Sequence, residues 1–120
     1  MELLVLVLNK KEHVRTVLKA LLRLGVSGAT VFPSTGMGRT LADEVPLFGG
    51  LRRALDGETV DNTTIFSVIE DESVVANVIQ SMPDLVGDLR KPGTGILFTV
   101  PVTRVIGTRQ PATVQGAKRP

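Results

Sequence analysis

The chain has no cysteine, no tryptophan and no tyrosine, and a single histidine, His13. Without cysteine there can be no disulfide, thiolate metal site or cysteine nucleophile. One histidine cannot build a multi-histidine metal centre, and it leaves little room for a triad that needs a histidine base. Four phenylalanines are the only aromatic side chains, and they lie mostly in strand-like runs. The aromatic platforms on which single-stranded nucleic acid stacks are therefore missing, and nucleic acid is not the expected partner. No nucleophile–base pair or carboxylate–metal constellation stands out, so the expectation is a non-enzyme with no catalytic and no metal-ligating residue. The apolar start, Met1–Leu8, lacks a basic flank and is too short for a signal peptide or a membrane span. A cytoplasmic protein, not embedded in a membrane, is expected. Acid is missing from one region: all twelve acidic residues lie at or before Asp88. Beyond it come Arg90, Lys91, Arg104, Arg109, Lys118 and Arg119, a basic stretch suited to anionic partners.

What is present has a clear period. At 120 residues the chain is long enough for one domain with one core. Leu3–Leu8 is a continuous apolar run, the mark of a strand covered on both faces. Over Lys11–Leu24 the pattern changes to helical: Val14, Val17, Leu18, Leu21 and Leu22 share a face, and Arg15, Lys19 and Arg23 form a solvated one. Gly25 suits the position just past that helix. His13, near its start, reads as a surface residue. Ala29–Phe32 is strand-like, with Pro33 marking its end or an edge. The order then repeats. Thr63–Ile69 is a strand; Asp71 can cap a helix with Glu72 near its positive end. Val74, Val75, Val78, Ile79 and Met82 give that helix an apolar face, and Pro83 is expected to end it. Ile96–Val102 is a fourth strand.

The result is βαββαβ, an α+β ferredoxin-like arrangement: one antiparallel sheet with two helices on one face. The other face stays apolar and needs a cover, so a homo-oligomer is expected. Two segments exceed the minimum. Gly36–Asn62 joins the middle strands by about 27 residues, a length that is usually functional or mobile. It carries Leu41, Leu47, Phe48, Leu51 and Leu55, and Leu51–Leu55 can form a helical turn. The other segment is the far end, residues 110–120, which reads as a disordered tail.

Two glycine-bearing loops occupy equivalent places in the two halves. In Ser34-Thr35-Gly36-Met37-Gly38-Arg39-Thr40, the glycines allow a sharp turn and a close approach to a ligand. Arg39 supplies a planar charged fork suited to phosphate. In Gly87–Gly95, residues Gly87, Asp88, Arg90, Lys91, Gly93, Thr94 and Gly95 precede the last strand. Together the loops point to a phosphorylated small molecule.

With Gly36-x-Gly38-Arg39 at the base of a long loop and Gly93-Thr94-Gly95-Ile96-Leu97-Phe98 entering the final strand, residues 1–109 resemble the PII signal-transduction family. The resemblance implies a homotrimer whose sheets form a barrel-like core. It also implies a long T-loop (here about 36–62) that reaches partner proteins, and a B-loop (about 84–95). Adenine nucleotides would then sit in clefts between subunits, gripped by Gly36, Gly38, Arg39 and Thr40, by Gly87, Asp88, Arg90, Lys91, Gly93, Thr94 and Gly95, and by Arg104 and Arg109 after the last strand. No cofactor is required. The effector would be ATP, ADP, AMP or a cyclic nucleotide, with or without Mg²⁺, and the partner a transporter or metabolic enzyme. The chain departs from the family pattern in two respects. Ile96 stands where the family has a lysine after the last B-loop glycine. With no tyrosine in the T-loop, tyrosine uridylylation is excluded. An oligomeric protein-docking scaffold without a nucleotide is the competing expectation.

Overall fold

The computed structural model describes residues 1–41, 44 and 61–107. Among them the order is β1 (Glu2–Leu8), α1 (Glu12–Arg23), β2 (Thr30–Ser34), a single helical turn α2 (Met37–Thr40), β3 (Asn62–Ile69), α3 (Glu72–Val86) and β4 (Gly95–Pro101). The strands form one sheet in the order β2-β3-β1-β4, and every pair is antiparallel. This is the expected ferredoxin-like α+β fold. The expected helical turn at Leu51–Leu55 and the tail at 110–120 lie outside the described residues.

Register explains the two faces. Directly paired residues of an antiparallel ladder point to the same side. Leu6 pairs with Ile65 and Leu97, and Leu4 with Ser67 and Thr99. Leu4, Leu6, Leu8, Ile65 and Ile69 are buried against Val17 and Leu21 of α1 and Val75, Val78, Met82 and Val86 of α3. The alternate residues face away from the helices. There Val5 pairs with Phe66 and Phe98, Val7 with Thr64 and Ile96, and Leu3 with Val68 and Val100. Phe98 is 44% and Ile96 55% exposed on that side. β1 was expected to be covered on both faces; in the single chain the helices cover only one.

The helix ends follow local chemistry. Past α1, the Val26 N–H donates to the Leu21 carbonyl (2.9 Å) and the Gly25 N–H to that of Leu22 (3.2 Å). With Gly25 at φ 103°, this is a Schellman ending, and it seats Val26 in the core beside Leu21. The α3 N-terminus is capped by Asp71, whose Oδ1 accepts from the Ser73 N–H at 2.8 Å and the Ser73 hydroxyl at 2.7 Å. Pro83 does not end α3, which runs to Val86. A proline inside a helix costs about 3 kcal/mol. Here it stands one turn from the end, and continuing the helix past it buries Val86, worth ~1.5–3 kcal/mol, and packs Leu85 against the core. The loop before β4 therefore begins at Gly87, and Asp84–Val86 belong to the helix. His13 is not a freely solvated surface residue. It is half-buried, one turn before the buried Val17 on α1, and its Nδ1 is sealed from solvent with no hydrogen-bond partner.

Two measurements test these local arguments. Gly95 has φ 146°, and a Cβ built there would lie 2.2 Å from the Val7 carbonyl oxygen. Gly95→Ala should lose at least about 1–3 kcal/mol in urea denaturation, the cost of the backbone conformation alone; unchanged stability would refute the close approach of β4 to β1. The Ser73 hydroxyl and N–H hold the Asp71 carboxyl below its usual pKa. A depressed carboxylate stabilises the fold above its unfolded pKa and loses that contribution as pH falls through the folded one. The melting-temperature gap between wild type and Asp71→Ala should therefore be full at pH 7 and shrink on acidification below about pH 4.

Candidate functional site

Antiparallel pairing brings four chain ends to one end of the sheet. Ser34, at the end of β2, pairs with Asn62 at the start of β3; Thr63 pairs with Leu8, and Leu8 with Gly95. Both glycine loops therefore leave from the same end. They leave from opposite edges, however, because β3 and β1 lie between β2 and β4. Three strand spacings of about 4.8 Å separate the edges by ~14 Å. A single chain does not close one small pocket with both loops.

The base of the long loop is a polar clasp. The Ser34 hydroxyl donates to Asn62 Oδ1 and lies 2.8 Å from Thr64 Oγ1. The Thr35 hydroxyl donates to Asp61 Oδ1 at 3.4 Å. Arg39 Nε stands 3.4 Å from the same oxygen, in an ion pair that both side chains leave roughly half open to solvent. Thr40 is exposed and folds back along the α2 turn, with both its N–H and its hydroxyl on the Gly36 carbonyl (3.1 and 3.0 Å). Gly36 is extended (φ −91°, ψ 174°) and Gly38 lies within the α2 turn. Neither glycine makes the sharp turn expected of it. At Gly36 a Cβ would only meet Asn62 Nδ2 at 3.6 Å, an ordinary contact.

The second loop does use its glycines. Gly87 and Gly93 take φ 93° and 85°, backbone that side-chain-bearing residues rarely adopt. Between them Asp88 organises a turn: its Oδ1 accepts from the Arg90 N–H at 2.9 Å and from Arg90 Nε at 3.3 Å. The Lys91 N–H bonds the Asp88 carbonyl at 3.0 Å. The Arg90 N–H and then its guanidinium hold the Asp88 carboxyl below its usual pKa, so it stays ionised at neutral pH. The Thr94 carbonyl accepts from the Asn9 N–H at 3.3 Å, tying the loop to the end of β1. Arg90 and Lys91 are exposed.

Arg104 is exposed and follows the end of β4 remote from Gly95, so the strand carries it to the far end of the sheet from both loops. Arg109 lies outside the described residues. Reading the sequence alone missed Ser34, Asp61, Asn62 and Thr64 as members of the clasp. The signal was available: Ser34-Thr35 closes one strand and Asp61-Asn62 opens the next, and antiparallel neighbours must bring those polar pairs together. Among the described residues no group of three or more His, Asp or Glu side chains could hold a metal ion. No helix among them is long and apolar enough to cross a membrane.

The family model described as nitrogen regulatory protein P-II matches residues 1–111, nearly the whole chain. No curated protein matches it in sequence. The match covers both glycine loops, all four strands and both long helices. The chain belongs to the nitrogen regulatory protein P-II family of signal-transduction regulators.

Proposed function

We propose that this protein is a non-enzymatic regulator that binds an adenine-type nucleotide between subunits of a homotrimer and signals through the loop at 36–62 to a partner protein. The observation that carries the reading is the placement of the two glycine loops. They emerge at one end of the sheet but on opposite edges, so only a neighbouring chain can bring a second loop to the first. The apolar sheet face gives the chains a reason to associate. Leu3, Val5, Val7, Phe66, Val68, Ile96, Phe98 and Val100 share that side, and burying such side chains is worth roughly 1.5–3 kcal/mol each.

In the cleft between chains, the Gly87–Gly95 loop would offer backbone N–H groups to phosphate oxygens, and Arg39 its guanidinium. Thr40 and the Gly36–Gly38 backbone would line the approach. Arg104, remote from the loops of its own chain, would reach a ligand only across a subunit boundary. Phosphate at Arg39 competes with the Asp61 carboxylate. Because Arg39 and Asp61 stand at the two ends of the long loop, ligand occupancy and the contacts at the loop's base are linked. Two states of that base would differ in affinity for a partner such as a transporter or metabolic enzyme.

The ligand test is a thermal-shift series with ATP, ADP, AMP and cyclic mono- and dinucleotides, with and without Mg²⁺, on wild type and Arg39→Ala. A nucleotide that binds the folded state must raise the melting temperature. Arg39→Ala should weaken its binding at least tenfold, about 1.4 kcal/mol. No shift with any nucleotide, in a protein shown to be an intact oligomer, would favour a docking scaffold without a nucleotide. The assembly is tested separately. Phe98→Asp puts a charge in the middle of the apolar face; light scattering should show a trimer for wild type and monomer for the variant. A wild-type monomer would overturn the intersubunit site.

A further inference from the structure

We propose that the outer face of α1 is a docking surface for an acidic helical segment of a partner protein, one that carries an apolar side chain among its carboxylates. The proposal does not depend on what the two glycine loops hold.

Lys11, Arg15, Lys19 and Arg23 recur at every fourth position, and all four are exposed. Lys11 immediately precedes α1 and already has helical backbone angles (φ −62°, ψ −30°). Each step of four residues rises about 6 Å and turns by about 40°, so the cations form one slowly winding stripe along the whole helix. Glu12 is the one acidic residue of α1, and none of the four cations has an ion-pair partner among the described residues. On α3 the carboxylates stand near its ends, at Glu72 and Asp84. The exposed residues of its middle, Ala76, Asn77, Ile79 and Gln80, are uncharged and do not offset the stripe. Like charges one helical turn apart repel, so the stripe weakens the helix that carries it. Carboxylates one turn apart on a partner helix repeat at the same spacing of about 6 Å and would relieve that repulsion.

Leu22 distinguishes this stripe from a merely solvated face. The helical period groups it with Val17 and Leu21, but the structure leaves it 63% exposed. On the helix it lies about 20° around from Arg15 and one turn from Lys19, within the cationic stripe. Leu18, one turn before it, is half-buried and continues the apolar surface into the core. An apolar side chain gains nothing against a phosphate backbone, where charge neutralisation dominates binding. A membrane surface would need a broad apolar helix face, and α1 has committed Val17, Ala20 and Leu21 to the core. A protein segment with carboxylates around one apolar residue matches both features, the cations by charge and Leu22 by burial. The helices cover the side of the sheet opposite to Val5, Phe66 and Phe98, so association of chains through that apolar face leaves α1 open to solvent.

The test uses the full-length protein and a fluorescent helical peptide with glutamate at every fourth position and one leucine between the middle pair. Binding is read by anisotropy at low and at physiological salt. Wild type should bind the peptide, and more weakly as salt rises. Arg15→Glu combined with Lys19→Glu should weaken binding at least about tenfold, and Leu22→Ser at least about threefold. All three positions are exposed, so these changes leave the core intact. Lys118→Glu combined with Arg119→Glu changes the net charge equally and should leave the affinity within about twofold. A peptide with lysine in place of glutamate should bind the Arg15→Glu, Lys19→Glu variant and not wild type. Absence of peptide binding to wild type would overturn the proposal, and so would binding that either α1 variant leaves unchanged. Tighter binding of phosphatidylglycerol vesicles or of duplex DNA, lost in the charge-reversed α1 variant but indifferent to Leu22→Ser, would overturn it in favour of a membrane or a nucleic acid.

Discussion

The pairing of β1 on both of its edges is the constraint on which the rest of this structure depends. Among the described residues β1 is the only strand hydrogen-bonded to two partners over its whole length, with Glu2–Leu8 in register with Ile69–Thr63 on one side and Pro101–Gly95 on the other. A strand so placed has no freedom of register, since a slip of one residue would turn Leu4, Leu6 and Leu8 out of the core. Fixing β1 fixes which side chains face the helices and which face outward. It also fixes the level at which β3 and β4 begin, and so where the two glycine loops stand. Gly95 shows how tight this is: the start of β4 approaches the Val7 carbonyl so closely that no side chain fits.

From that sheet follow both the strength and the incompleteness of the single chain. One face is sealed by α1 and α3, with Leu6, Val17, Ile65 and Val78 fully buried. The opposite face is built from residues as apolar as the core, with Phe32 and Phe66 packed edge to face at 5.6 Å between ring centres. A monomer rarely leaves so continuous an apolar surface in water. The same topology sends the glycine loops to opposite edges. The cover that the face needs and the second wall that a small ligand needs would thus come from the same act of association.

Most of the fold was legible because it rests on short-range periodicity. The continuous apolar run of β1, the helical spacing of Val14, Val17 and Leu21, the Gly25 ending and the Asp71 cap are all local signals. The failures involve longer-range terms. Pro83 is a strong local breaker, yet the packing of Leu85 and Val86 beyond it outweighs it. His13 looks like a solvated residue until the helix face it shares with Val17 is seen packed. Gly36 and Gly38 look like a forced turn, while the chain there is extended and then helical. The conformation that demands glycine belongs to Gly87, Gly93 and Gly95 instead. Asp61 was invisible as a site residue because its partner, Arg39, is 22 positions earlier. Only the antiparallel return of β3 along β2 brings them together.

The weakness of that ion pair is what makes it useful. An exposed pair contributes little to stability, roughly 0–1 kcal/mol, so the fold does not depend on Arg39 meeting Asp61. A phosphate with good geometry can outbid a single carboxylate oxygen, because it offers the guanidinium two parallel bonds where Asp61 here engages Nε alone. Asp88 differs, because its carboxylate is bonded to backbone as well as side chain and its displacement would disturb the turn itself. One carboxylate yields and the other stays. The yielding one stands at the base of the long loop, where a change of partner alters how the loop is held. The fixed one stands in the Gly87–Gly95 loop, where it keeps a permanent negative charge beside Arg90. The proposed regulation would use the yielding contact: an ion pair at the base of the long loop, weak enough for a ligand to exchange.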